Sequence, residues 1–256
     1  MFFKSKKQPK GKIILGMIML KDNDGFNLDN FSADFTSSYE HTIDNLSGDQ
    51  TAASFEVDGE TVAIGHMPVP IPNADLESTA EYAYTWQTAR EDLKDHESHL
   101  IVSLLGKGSN QILRYTIFTQ VICSLLRTTD SIGVYKGNQS LLIPKNDYLE
   151  EAALMSDDYF PLDLWIYFGL RATSEGNSGY TYGLQEFNKN ELEILNSSQD
   201  ILSIRNFLFN MAHYVLEFDI TFKDGQTCGM SEEEKVKITF SKGVLVEGKT
   251  FKLAYL

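Results

Sequence analysis

The chain has 256 residues, 42% of them hydrophobic and 12% aromatic, with only six prolines; disordered chains lack the aromatics and branched aliphatics needed to offset the entropy of ordering, so this one builds a core. Thirty-six acidic against 22 basic residues give a formal net charge of −14, which repels phosphate backbones and argues against nucleic acid as a partner. Two cysteines, Cys123 and Cys228, form neither a CxxC motif nor a disulfide framework, which fits a reducing, cytoplasmic compartment.

A basic run (Lys4, Lys6, Lys7, Lys10, Lys12) reads as a solvated N-terminal tail over residues 1–11, with neither the apolar stretch nor the cleavage site of a signal peptide. The first strand runs from Lys12 to Leu20, and its apolar run is far shorter than the ~20 residues that span a membrane. After a turn at Asp22–Gly25, Leu28, Phe31 and Phe35 carry helical spacing. Ala52–Val57 and Thr61–Met67 flank Asp58-Gly59, a strong hairpin signal because both turn positions tolerate positive φ. The segment Met67-Pro-Val-Pro-Ile-Pro72 lacks the amide donors a sheet ladder needs and reads as an extended exit. From the capping residue Asn73, the stripe Leu76, Ala80, Ala83, Trp86, Ala89 and Leu93 predicts one helix over 74–95. His99–Leu105 is a strand, and the order so far is β-α-β-β-α-β, that of the split βαβ or ferredoxin-like unit.

Asn110–Leu126 is apolar around most of its circumference and predicts a helix buried on more than one side, placed between two halves. The order then repeats: strands at Ser131–Tyr135 and Ser140–Ile143, a helix over Pro144–Met155, a hairpin of Leu162–Ala172 with Gly179–Leu184, and a helix over Ser198–Leu216. Strands at Val236–Phe240 and Thr250–Tyr255 close the chain. The expected fold is therefore α+β: two tandem ferredoxin-like halves with mainly antiparallel sheets, over 12–108 and 131–256, joined by a buried linking helix over 109–130.

No motif carries a reaction. Gly106-Lys-Gly-Ser-Asn110 stands where a strand meets a helix, the place where backbone amides hold anions, but it is neither GxxxxGK[ST] nor GxGxxG. His96 and His99 have a spacing that two ligands of one metal can share, but no third ligand accompanies them, and no metal or cofactor is expected. His213 flanks the apolar stripe of its helix, and no GxSxG elbow is present.

The ordered set Phe55-Glu-Val-Asp-Gly59, Met67-Pro-Val-Pro-Ile-Pro72, Trp86, His96-Glu-Ser-His-Leu-Ile-Val102, Gly133-Val-Tyr-Lys-Gly137, Asn210-Met-Ala-His-Tyr214 and Asp224-Gly-Gln-Thr-Cys-Gly229 resembles the bacterial DUF4261 family. The resemblance implies a bacterial protein and brings no activity or catalytic residues. Lys136 stands where the resemblance leads one to expect an aromatic residue.

The leading expectation is a cytoplasmic protein-interaction module, of immunity type, whose partner is a basic protein. The alternative is an enzyme or small-ligand binder with a pocket between the halves, built from Pro68, Pro70, Trp86, His99 and His213. A homo-oligomer paired through sheet edges or faces is a third reading.

Overall fold

The computed structural model describes residues 12–106, 108–231 and 233–256. Four lysines of the basic run, Lys4, Lys6, Lys7 and Lys10, lie outside the described residues, as does the expected tail over 1–11. The fold is mixed α+β with two sheets. The described chain forms two compact units, one of residues 12–76 with 88–135 and the other of residues 77–87 with 136–256.

The first unit runs in the order β1 (Ile14–Leu20), α1 (Leu28–Ser38), β2 (Asp44–Gly48), β3 (Ala52–Val57), β4 (Glu60–Met67), α2 (Asn73–Ala80), α3 (Ala89–Asp92), β5 (Ser98–Leu104), α4 (Gln111–Thr128) and β6 (Ser131–Lys136). Its strands lie in the order β2-β3-β4-β5-β1-β6, every pair antiparallel. The β3–β4 hairpin turns at Asp58 (φ 50°) and Gly59 (φ 79°), the left-handed geometry that Asp-Gly supplies at low steric cost. Helix α4 packs on α1 and on β1 and β5, which accounts for its apolar circumference: one face meets a helix and another a sheet. Its start is fixed by the Asn110 side chain, which accepts from the Leu113 amide at 3.2 Å.

The second unit continues with β7 (Leu141–Pro144), α5 (Lys145–Ala153), α6 (Leu162–Trp165), β8 (Tyr167–Thr173), β9 (Gly176–Tyr182), β10 (Leu192–Ser197), α7 (Ile201–Glu217), β11 (Thr227–Cys228), β12 (Val236–Lys242) and β13 (Lys249–Leu253). Its six-stranded sheet has the order β11-β12-β13-β10-β9-β8, in which β10 and β13 are parallel and the other pairs antiparallel. Helix α7 packs on β8, β9 and β10 through Ile204, Phe207, Leu208, Met211 and Val215, all buried. Asp200 caps it by accepting from the Ser203 amide at 2.9 Å.

The single helix expected over 74–95 is interrupted. Helix α2 ends at Ala80, and over 82–86 the amides bond two or three residues back, Tyr82 to the Thr79 carbonyl, Tyr84 to Tyr82 and Trp86 to Ala83. Aromatic side chains lose rotamer freedom against a preceding helical turn, and here they serve the second unit instead. Residues 162–165, expected as strand, make one helical turn before β8. Strands β2 and β10 were not expected from the sequence; β2 carries no apolar alternation, and β10 alternates only over Leu192–Ile194.

Candidate functional site

His99 and the segment around Pro68 and Pro70 are brought together in the first unit. The His99 imidazole donates from Nδ1 to the Val69 carbonyl at 2.8 Å. Burial pushes its pKa down; the Val69 carbonyl works against that, and the neighbouring His96 and His66 add to the fall. His96 accepts at Nε2 from the Ile71 amide at 3.0 Å and donates from Nδ1 to the Leu93 carbonyl. Both of its ring nitrogens are thereby committed to the backbone, which leaves neither free for a metal. Ile71 is buried while Pro68, Val69 and Pro70 are exposed, so two imidazoles pin a proline-rich strap whose outer side meets solvent. Among the described residues no group of three or more His, Cys, Asp or Glu is arranged to hold a metal ion.

Trp86 and His213 belong to the second unit. Trp86 is buried at the end of the interrupted helix. His213 stacks on Phe160, with ring centroids 5.1 Å apart, accepts at Nε2 from the Phe160 amide at 3.3 Å, and faces the Glu217 carboxylate with Nδ1 at 3.3 Å. That arrangement fixes the neutral tautomer with the proton on Nδ1 and occupies the lone pair a general base needs. His213 lies on the wall of a groove of about 1080 Å³, where Asn210–Tyr214 and Gly225–Gly229 meet. Two of the sequence landmarks thus share one concavity. Its thiol, Cys228, is pushed up to about 11 by burial and by the Glu234 carboxylate, so it stays protonated at neutral pH.

The anion-type turn at Gly106–Gly108 holds an internal anion. Glu60 Oε1 accepts from the Gly108 amide at 2.9 Å, and a Cβ at Gly106 would lie 1.8 Å from Glu60 Oε2. Both glycines are explained by a carboxylate of the chain itself.

A different concavity in the second unit brings together residues that no motif announced. A cavity of about 490 Å³ is formed by the strap Tyr82–Thr85, β7, one face of α5 and the start of β8. Helix α5 turns Asp147, Glu150 and Glu151 toward it, and its capping residue Leu154 follows on the same face, spaced three and four apart as one helical face requires. Opposite stand Tyr82, Tyr84 and Tyr167. The Tyr84 and Tyr167 rings are 6.3 Å apart, and the Tyr167 hydroxyl donates to the Tyr82 carbonyl at 3.2 Å. Asp163, on the same wall, is paired with Arg205, whose guanidinium lies 5.6 Å from the Phe168 ring centre and 5.4 Å from that of Phe209. Burial pushes the Glu151 carboxyl up; the Tyr159 hydroxyl, donating at 2.9 Å, opposes this, and Asp163 adds to it. A second cavity of similar size shares Tyr82, Ser140 and Tyr167 with the first and adds Tyr180, Tyr182, Val246 and Glu247. Five tyrosines thereby line one continuous surface, with Tyr82 57% exposed and Tyr84 44%.

Residues 180–254 match the family model DUF4261, a domain of unknown function, the family that the sequence resembles. The matched segment runs from within β9 to the end of β13 and contains every residue that lines the groove beside His213. The landmarks between residues 55 and 137 and the first tyrosine cavity lie outside it, while Tyr180, Tyr182, Gln185, Leu245, Val246 and Glu247 of the second cavity fall within it. No curated protein and no solved structure matches the chain significantly.

Proposed function

We propose that this protein is an interaction module, of immunity type and working in the bacterial cytoplasm, that recognises a basic protein. The observation that carries the reading is the run of five tyrosines across two adjoining cavities. Tyrosine is enriched at the energetic centres of protein interfaces because it presents a rigid apolar ring and a polar tip at small entropic cost. The formal charge of −14 supports a basic partner, since complementary charge speeds encounter and rejects acidic competitors. Cytoplasmic placement is supported by the two free cysteines; among the described residues no helix is long and apolar enough to cross a membrane.

The first unit runs β1-α1-β2-β3-β4-α2-α3-β5; setting aside the added strand β2 and the short turn α3, that succession supports relating it to the split βαβ unit, with the pairing β4-β5-β1 as its own arrangement of those strands.

The test is affinity capture from the native host with the wild-type chain and with Tyr82→Ser/Tyr182→Ser. One basic protein recovered in stoichiometric amount with the wild type and lost with the variant is the expected result. No stoichiometric partner, or a partner retained by the variant, overturns the reading.

A further inference from the structure

The wall of the first tyrosine cavity already shows how this unit holds a cation. Arg205 is seated between the Asp163 carboxylate and the rings of Phe168 and Phe209. A cation within about 6 Å of an aromatic centroid is attracted by the ring quadrupole, the more so once desolvated. Inside the cavity the same two ingredients recur, and the guanidinium that acts on Glu151 and bonds the Tyr84 hydroxyl is that of Arg205, already paired with Asp163. Tyr84 and Tyr167 supply aromatic rings to its lining, and Asp147, Glu150 and Glu151 supply carboxylates. Among the described residues no basic side chain forms an ion pair with any of those three acids. Asp163 is neutralised by Arg205, so the cavity keeps a formal charge of about −3, counted from three ionised carboxylates. A volume of about 490 Å³ is that of a small-ligand site rather than of a single water or ion.

We infer that this cavity binds an aliphatic chain bearing two or more ammonium or guanidinium groups, its methylenes against the tyrosine rings and its charges on Asp147, Glu150 and Glu151. The inference deepens the interaction reading and rests on it only in part, because that chemistry has two sources: lysine and arginine side chains of a protein, or a free polyamine. A single-charge amine satisfies one carboxylate and leaves the others unpaired. Burial, with Asp163 adding to it, raises the Glu151 carboxyl, and a cation bound in the cavity should pull it back down.

The experiment is calorimetric titration of the full chain with spermidine and with pentalysine, each against Glu150→Gln/Glu151→Gln and against Glu40→Gln/Glu97→Gln. The last variant makes the same change in net charge at exposed positions of the first unit. Spermidine should bind, should lose about tenfold or more in affinity in the cavity variant, a difference of about 1.4 kcal/mol, and should be unaffected in the control. If pentalysine competes with spermidine, the source is a protein side chain and both readings stand. If spermidine binds in this way and pentalysine does not, the cavity inference stands and the protein-partner reading falls. If pentalysine binds equally to wild type and cavity variant, the cavity inference is overturned while the interaction reading survives. Binding of neither, or equal losses in both variants, overturns the cavity inference.

Discussion

Glu60 and Arg114 form an ion pair sealed from solvent: the Arg114 Nε donates to Glu60 Oε2 at 3.0 Å, and the two residues are 4% and 1% exposed. The guanidinium also donates to the carbonyls of Lys12 at 2.6 Å, Gly106 at 3.2 Å and Leu104 at 3.4 Å, while the other Glu60 oxygen takes the Gly108 amide. One carboxylate and one guanidinium thus tie the β3–β4 hairpin to the ends of β1 and β5 and to the start of α4.

Removing one partner of such a pair leaves a buried, uncompensated charge, which costs about 3–5 kcal/mol. Glu60→Gln should therefore lower the unfolding free energy by roughly that amount in denaturant titrations. Replacing both residues by methionine should recover only part of the loss, because the carbonyls that Arg114 satisfied remain buried without it. Gly106→Ala should be comparably damaging through its clash with Glu60.

Lys136 is the departure from the family resemblance, and it is fully enclosed. Its ammonium donates to the Leu164 carbonyl at 3.1 Å, and burial pushes its pKa down to about 7 against a partial pull upward from Glu186. Because the folded value lies below the unfolded one near 10.5, the unfolded chain holds the extra proton between them. The contribution of Lys136 to stability is full above about 10.5 and is lost as pH falls to about 7. Lys136→Met should raise the melting temperature at pH 7, by an amount corresponding to about 1–4 kcal/mol, and the gap should close toward pH 10. A variant less stable than wild type at pH 7 would show that the Leu164 bond outweighs the burial of charge.

The histidine strap gives acid sensitivity. His99 titrates below its ordinary 6.5 in the folded state, so its contribution is full above 6.5 and is lost as pH falls through the lower folded value. Protection of the Ile71 amide, taken relative to its intrinsic exchange rate, should fall between pH 7 and 5 more than protection in the β3–β4 hairpin. His99→Asn keeps a donor for the Val69 carbonyl and should flatten the dependence of melting temperature on pH over that range.

What the sequence disclosed follows range of interaction. The β3–β4 hairpin was legible because Asp58 and Gly59 carry its geometry locally, and α4 because its apolar residues surround it. Strand β10 was hidden because Glu191 and Glu193 are buried, which inverts the rule that charge marks the outer face. The helix expected through Trp86 failed because tertiary packing overrode the stripe. The tyrosine cavity could not be read at all: its walls come from residues 82–85, 140–154 and 163–168, and only the fold sets those segments around one space.

Glu193 illustrates how a buried acid can be structural and still shape the candidate site. Its carboxylate accepts from the amides of Leu245 at 2.6 Å, Val244 at 2.9 Å and Val246 at 3.2 Å, from the Thr250 hydroxyl at 2.8 Å, and faces the Lys252 ammonium at 3.0 Å. Burial alone would raise its pKa; the Leu245 amide, Thr250, Lys252 and the Val244 amide outweigh it, so the value is lowered. The resulting stability is present above the unfolded value near 4.5 and is lost as pH falls through the folded one. Glu193→Gln turns one acceptor into a donor facing amides and should cost on the order of 2 kcal/mol. Because Leu245, Val246 and Glu247 wall the second tyrosine cavity and not the first, exchange at the 244–246 amides should rise and partner affinity fall, while spermidine affinity stays unchanged. A loss of spermidine binding in this variant would show that the two cavities act as one site.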